Sequence, residues 1–100
     1  MAIDAIVLNP ADNVATAVQA LKSGQDASVR IKKELLGIRI NEDIPYGHKF
    51  AVRAIHCGED ILKYGETIGR ATKDIPAGYH AHVQNIESLR GRGDLRKEDK

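Results

Sequence analysis

A mainly β domain with one short helix is what this 100-residue sequence predicts, and three features carry that expectation. Short apolar-polar alternations run from Ala27 to Ile86. Turn signals punctuate them at "NEDIPYG", "HCGED", "KYGE" and "KDIPAG", at the spacing of a compact all-β unit. One stretch alone has the 3.6-residue periodicity of a helix.

Taken in order, Ala5 to Leu8 reads as a short buried strand. The helix is expected over Pro10–Ser23. Asn9 is placed to cap it, Pro10 suits the first helical position, and Asp12 favours the positive end of the dipole. Val14, Ala17, Val18 and Leu21 fall at i, i+3, i+4, i+7, and Gly24 is placed to end the helix. Strands then follow. Val29 and Ile31 alternate with Arg30 and Lys32, Ile38 and Ile40 flank Arg39, and Phe50, Val52 and Ala54 share a face opposite Arg53. A weaker set runs Ile61–Tyr64, Thr67–Ala71 and Tyr79–Ile86. The domain is expected to occupy residues 1–88, and the nearly apolar-free residues 89–100 form a flexible charged tail.

Composition limits the function classes. With no Trp, one Phe and three Tyr, the core must be aliphatic, and an enclosed pocket built by this chain alone is not expected. A net charge of +1 draws the protein neither to nucleic acid nor to an anionic membrane. Arg90, Arg92 and Arg96 have no interleaved aromatics for stacking on bases. The apolar run at the N-terminus is too short for a signal sequence or a membrane span. The single cysteine, Cys57, cannot form an internal disulfide, so the cytoplasm is the default compartment, and Cys57 is expected to be buried.

Asp43-Ile44-Pro45-Tyr46-Gly47 and Asp74-Ile75-Pro76-Ala77-Gly78 match at four of five positions. Tight-turn chemistry explains the match as two similar hairpin turns. A second reading is a pseudo-symmetric sheet in which related loops approach each other. The first would deliver His48 and Lys49 just after its glycine, the second Tyr79 and His80.

His80 and His82 stand two apart, so on a strand they share a face. Such a pair can grip a divalent metal, or be polar positions on an edge strand with Ala81 and Val83 inside; two ligands alone do not complete a catalytic site. His48 is a candidate acid near neutral pH, and Lys49 a point charge for a carboxylate. Asp12 and Asn13 either cap the helix or present a carboxylate and an amide to a ligand. Glu66, in the turn after Tyr64-Gly65, is either exposed or an acid behind the site. His56 reads as structural, and Arg92-Gly93-Asp94 as a coincidental tripeptide.

"NPADNVATAV", "IPYGHKFAVRAI", "KYGETIGRATKDIPAGYHAHVQN" and "ESLRGRGD" together resemble the SAF-type domain of the altronate and galactarate dehydratase family, whose relatives include the small subunit of sulfolactate sulfo-lyase. The resemblance covers Asn9 to Asp94. It implies a β-clip (SAF-like) fold and a lyase that removes water, or in relatives sulfite, from a hydroxylated acid with a divalent metal such as Fe2+ or Mn2+. In many members of the family this domain is fused to a much larger catalytic region; here a separate large dehydratase subunit is the expected partner, with the isolated chain inactive and a homo-oligomer. Carried onto this sequence, the resemblance makes His48, His80 and His82 candidates for metal or acid roles and leaves open which ligates and which moves the proton; the expected assignment is catalysis for His48 and Lys49, metal binding for His80 and His82, and substrate binding for Asp12, Asn13 and Lys49. Relatives commonly carry a third histidine where this chain has Gln84, a poor ligand for iron or manganese. The "RGRGD" ending is closer to altronate-type members than to sulfo-lyase subunits. The competing expectations are a non-catalytic binding module for a small acid or partner protein, and an assembly role that would call for export.

Overall fold

The computed structural model describes residues 3–88, so the charged segment 89–100, with its arginines and its Arg-Gly-Asp, lies outside the described residues. Among them the chain is all β, with nine short strands and no helix. None of the described residues forms a helix long and apolar enough to cross a membrane.

Six strands make the larger sheet: β1 (Ala5–Val7), β2 (Val14–Ala17), β3 (Asp26–Ile31), β4 (Glu34–Arg39), β5 (Lys49–Ala51) and β8 (His80–Ala81). Their order is β4-β3-β1-β2-β5-β8, and only β1 and β3 run parallel. The second sheet holds β6 (Asp60–Lys63), β7 (Glu66–Ala71) and β9 (Ile86–Ser88) in the order β6-β7-β9, all antiparallel. Two apolar clusters form the core of the described residues. Phe50 anchors one, with Leu21, Ile40 and Ile44; Ile55, Ile61 and Ile75 anchor the other.

The expected Pro10–Ser23 helix is absent, and the reason is tertiary. The Asn9 side chain closes a turn by accepting the Ala11 N–H at 2.8 Å, and the Asp12 N–H donates to the Asn9 carbonyl. Val14 to Ala17 then pairs on both sides, with β1 and with β5. The apolar residues that fit a helical stripe also fit this strand: Val14, Ala15 and Ala17 are buried, whereas Val18 is exposed. Two ladders outweigh a weak helical preference in so β-branched a segment.

Three smaller expectations also change. Phe50 is buried, but so is its neighbour Ala51, while Ala54 is exposed; β5 sits between the two clusters and feeds one from each side. The expected Tyr79–Ile86 strand breaks into a turn over residues 82–85, which leaves Val83 80% exposed instead of inside. Cys57 is exposed: its turn backbone is pinned by the Cys57 N–H donating to Asp74 Oδ1 at 2.8 Å.

The internal copy is a structural repeat. Leu21 and Ile44 form a two-hydrogen-bond antiparallel bridge, as do Ile55 and Ile75. The Asp43 carboxylate accepts the Ser23 N–H, just as Asp74 accepts that of Cys57. Gly47 and Gly78 take φ of 82° and 85°, and their N–H groups donate to Ala17 and Ala51, respectively. The partner segments "LKSGQD" and "IHCGED" repeat as well, each with a Gly at positive φ. This repeat is what brings the residues after Gly47 alongside those after Gly78, because β5 pairs directly with β8, Phe50 opposite His80.

Candidate metal and acid-binding site

His48 leaves the first Asp-Ile-Pro-x-Gly turn, and His80 the second. His82 follows from the end of β8, where a side-chain clip ends the strand. The Asn85 Oδ1 accepts the His82 N–H at 2.9 Å, and the Asn85 Nδ2 donates to the His80 carbonyl at 2.8 Å. Asn85 is buried, and its only local signal in the sequence is that of a turn-forming residue after a strand.

The three imidazoles stack. Ring centroids lie 5.1 Å apart for His48 and His80, 4.5 Å for His48 and His82, and 5.2 Å for His80 and His82, with planes within 28° of parallel. One potential ligand nitrogen from each falls within 4.8 Å of the others. His48 Nδ1 and His80 Nε2 are 2.9 Å apart, so one of them carries the shared proton. Burial, then the neighbouring His48 and His82, hold the His80 pKa below its ordinary value, with Glu42 acting the other way. His82 is lowered too, by desolvation first and then by His48 and Lys49. Both shifts favour the neutral ring with a lone pair available, the state a metal ligand requires.

Beside the rings runs an open groove of about 570 Å³ between the sheets, lined by Lys49, Glu66, Thr67, Ile68 and His82, among others. Lys49 on β5 is half-buried, and its pKa is lowered by that burial and then by the positive charge of Lys63. A carboxylate entering the groove would favour the charged ammonium and so offset both effects.

Asp12 and Asn13 do not join this group. Both are buried, and their side chains are given to the β6–β7 hairpin. Asp12 accepts the Tyr64 and Gly65 N–H groups at 2.8 Å each; Asn13 accepts the Leu62 N–H and donates to the Asp60 carbonyl. They are the clamp that holds two consecutive left-handed residues, Tyr64 at φ 57° and Gly65 at φ 76°.

Residues 3–89 match the family described as the altronate/galactarate dehydratase SAF domain. The chain belongs to that family. Altronate dehydratase of Escherichia coli (strain K12) is 39% identical to this SAF domain over 83 residues, 83% of the chain, and that of Bacillus subtilis (strain 168) is 35% identical over the same length. The SAF domain spans only 16% of the length of either enzyme. It is also 33% identical over 93 residues to (2R)-sulfolactate sulfo-lyase subunit alpha of Chromohalobacter salexigens, covering 90% of this chain and 99% of that subunit. The SAF domain is thus homologous to parts of dehydratases and to a subunit of a lyase.

Proposed function

We propose that this SAF domain is the small subunit of a metal-dependent sugar-acid dehydratase, eliminating water from an altronate-like acid with a separate large subunit in the cytoplasm. The convergence of His48, His80 and His82 beside a groove carrying Lys49 is the observation that carries this reading. Support for a subunit comes from the sulfo-lyase subunit alpha, nearly all of whose length the SAF domain covers.

The donor set fits a divalent ion: three imidazoles, two of them shifted towards the neutral form, in a half-buried cluster with room on the groove side. Imidazole suits iron better than manganese, so Fe2+ is the preferred ion and Mn2+ the alternative. His48 serves as the third ligand beside His80 and His82, since its Nδ1 already faces His80. When bound, the ion would supply Lewis-acid stabilisation of the charge that develops on the substrate carboxylate and its α-hydroxyl oxygen as the α-proton leaves. Lys49 pairs with the carboxylate and orients the acid along the groove. The large subunit covers the open side, excludes water, accepts the α-proton and donates the proton that takes the β-hydroxyl away as water. Asp12 and Asn13 contribute by holding the hairpin that carries Glu66 and Thr67 at the groove wall.

The test mixes purified chain, large lyase subunit and ferrous ion under argon. The chain alone should be inactive and the mixture should dehydrate altronate; a large subunit that turns over fully without this chain refutes the catalytic role. A second reading, removal of sulfite from a sulfonated hydroxy acid, is favoured by the 99% coverage of the sulfo-lyase subunit. Sulfite release from sulfolactate in the same mixture distinguishes the two.

A further inference from the structure

We propose that Gln84 is a positioning residue whose side-chain amide sets the tautomer of His80, an inference that rests on the three-imidazole reading above. Gln84 lies on the 82–85 turn with Nε2 3.2 Å from His80 Nδ1. The other His80 nitrogen, Nε2, is 2.9 Å from His48 Nδ1. Both nitrogens of one neutral ring are therefore engaged, and the ring has a single proton to place. With the Gln84 amide donating to Nδ1, the His80 proton sits on Nε2 and is donated to His48. That arrangement closes the histidine pair on itself.

For His80 Nε2 to bind an ion, its proton must move to Nδ1. A half-turn about the terminal torsion of Gln84 then presents Oε1 in place of Nε2 and accepts that proton. Such sp3–sp2 torsions are broad and roughly two-fold, so the exchange needs no backbone movement. A carboxylate at this position would accept only and hold His80 in the Nδ1–H form. An aliphatic side chain would hold neither form. The amide serves both, and the Asn85 clip keeps the turn in place while it does so. Gln84 is thus not a vacant ligand position but the hydrogen-bond partner behind His80, the kind of outer contact that fixes metal-bound histidines elsewhere.

The experiment uses the full chain labelled with 15N at pH 8 and zinc ion alone as a diamagnetic probe. Long-range 1H–15N spectra should show metal-free His80 protonated at Nε2, shifting to Nδ1 when zinc is added. Gln84→Leu should mix the two metal-free tautomers and weaken zinc binding by calorimetry roughly 10–100-fold. Gln84→Glu should show the Nδ1–H form before zinc is added and bind at least as tightly as the wild type. A Gln84→Leu chain matching the wild type in both tautomer and affinity overturns the role of Gln84 and leaves the metal reading standing. A wild-type chain that binds no ion overturns the metal reading itself.

Discussion

Replacing Asp12 by Ala separates a structural carboxylate from a ligand-binding one. Its two oxygens take the Tyr64 and Gly65 N–H groups at 2.8 Å each, and the residue is 3% exposed. A hydrogen bond to a charged acceptor contributes about 1.5–3 kcal/mol. Both donors sit on an exposed hairpin tip where water can replace the carboxylate, so the lower end applies to each, for a loss of about 3 kcal/mol. The left-handed backbone at Tyr64, which costs a non-glycine residue about 1–2 kcal/mol, then loses the contact that offsets it. Against a total stability of about 5–15 kcal/mol, this is a large fraction. At roughly 4–8 °C per kcal/mol for a domain of this size, Tm should fall by about 12–24 °C in a circular-dichroism melt. Asp12→Asn, which keeps one acceptor oxygen, should lose about half as much. If Asp12→Ala melts within about 2 °C of the wild type yet loses acid or metal binding, the clamp argument is wrong and the carboxylate belongs to the ligand.

Three further outcomes follow from the same geometry. Gly78→Ala should destabilise more than Gly47→Ala although both have φ near +80°, because a Cβ at Gly78 lies 2.0 Å from the Arg39 carbonyl oxygen whereas one at Gly47 meets nothing within 4 Å; equal urea midpoints would refute that contact. If the proposed dehydratase role holds, Lys49→Met mixed with the large subunit should raise KM roughly 10–100-fold, the worth of one charged hydrogen bond, with a smaller effect on kcat, and Lys49→Arg should recover part of it; an unchanged KM removes Lys49 from carboxylate binding. The lowered pKa values of His80 and His82 mean that the unfolded chain binds protons more readily than the folded one. Their contribution to stability is therefore complete above about pH 6.5 and is lost as pH falls through the depressed folded values. Urea unfolding of metal-free chain between pH 8 and 5 should show this decline, and a flat or opposite profile would contradict it.

How far the sequence could be read follows from the range of each interaction. The β character was legible because alternation such as Val29-Arg30-Ile31 is written within a few residues. The repeat was legible because each Asp-Ile-Pro-x-Gly turn carries its own chemistry: a proline that presets φ, a glycine that takes the positive one, and an aspartate that caps a neighbouring backbone N–H. From these local signals the sequence by itself determined the strand-rich class, the two related turns, and the polar residues that follow them. The path from Asn9 to Ala17 was decided only by the tertiary structure, since its apolar spacing suits a helix and a strand alike, and the two flanking ladders selected the strand. The same is true of Asp12, whose two donors lie more than fifty residues away, and of Gln84, whose partner is visible only once the turn at His82 has folded back. His48 meets His80 across 32 residues because β5 pairs with β8, and that pairing depends on backbone hydrogen bonds between distant segments, which no short stretch of side chains encodes.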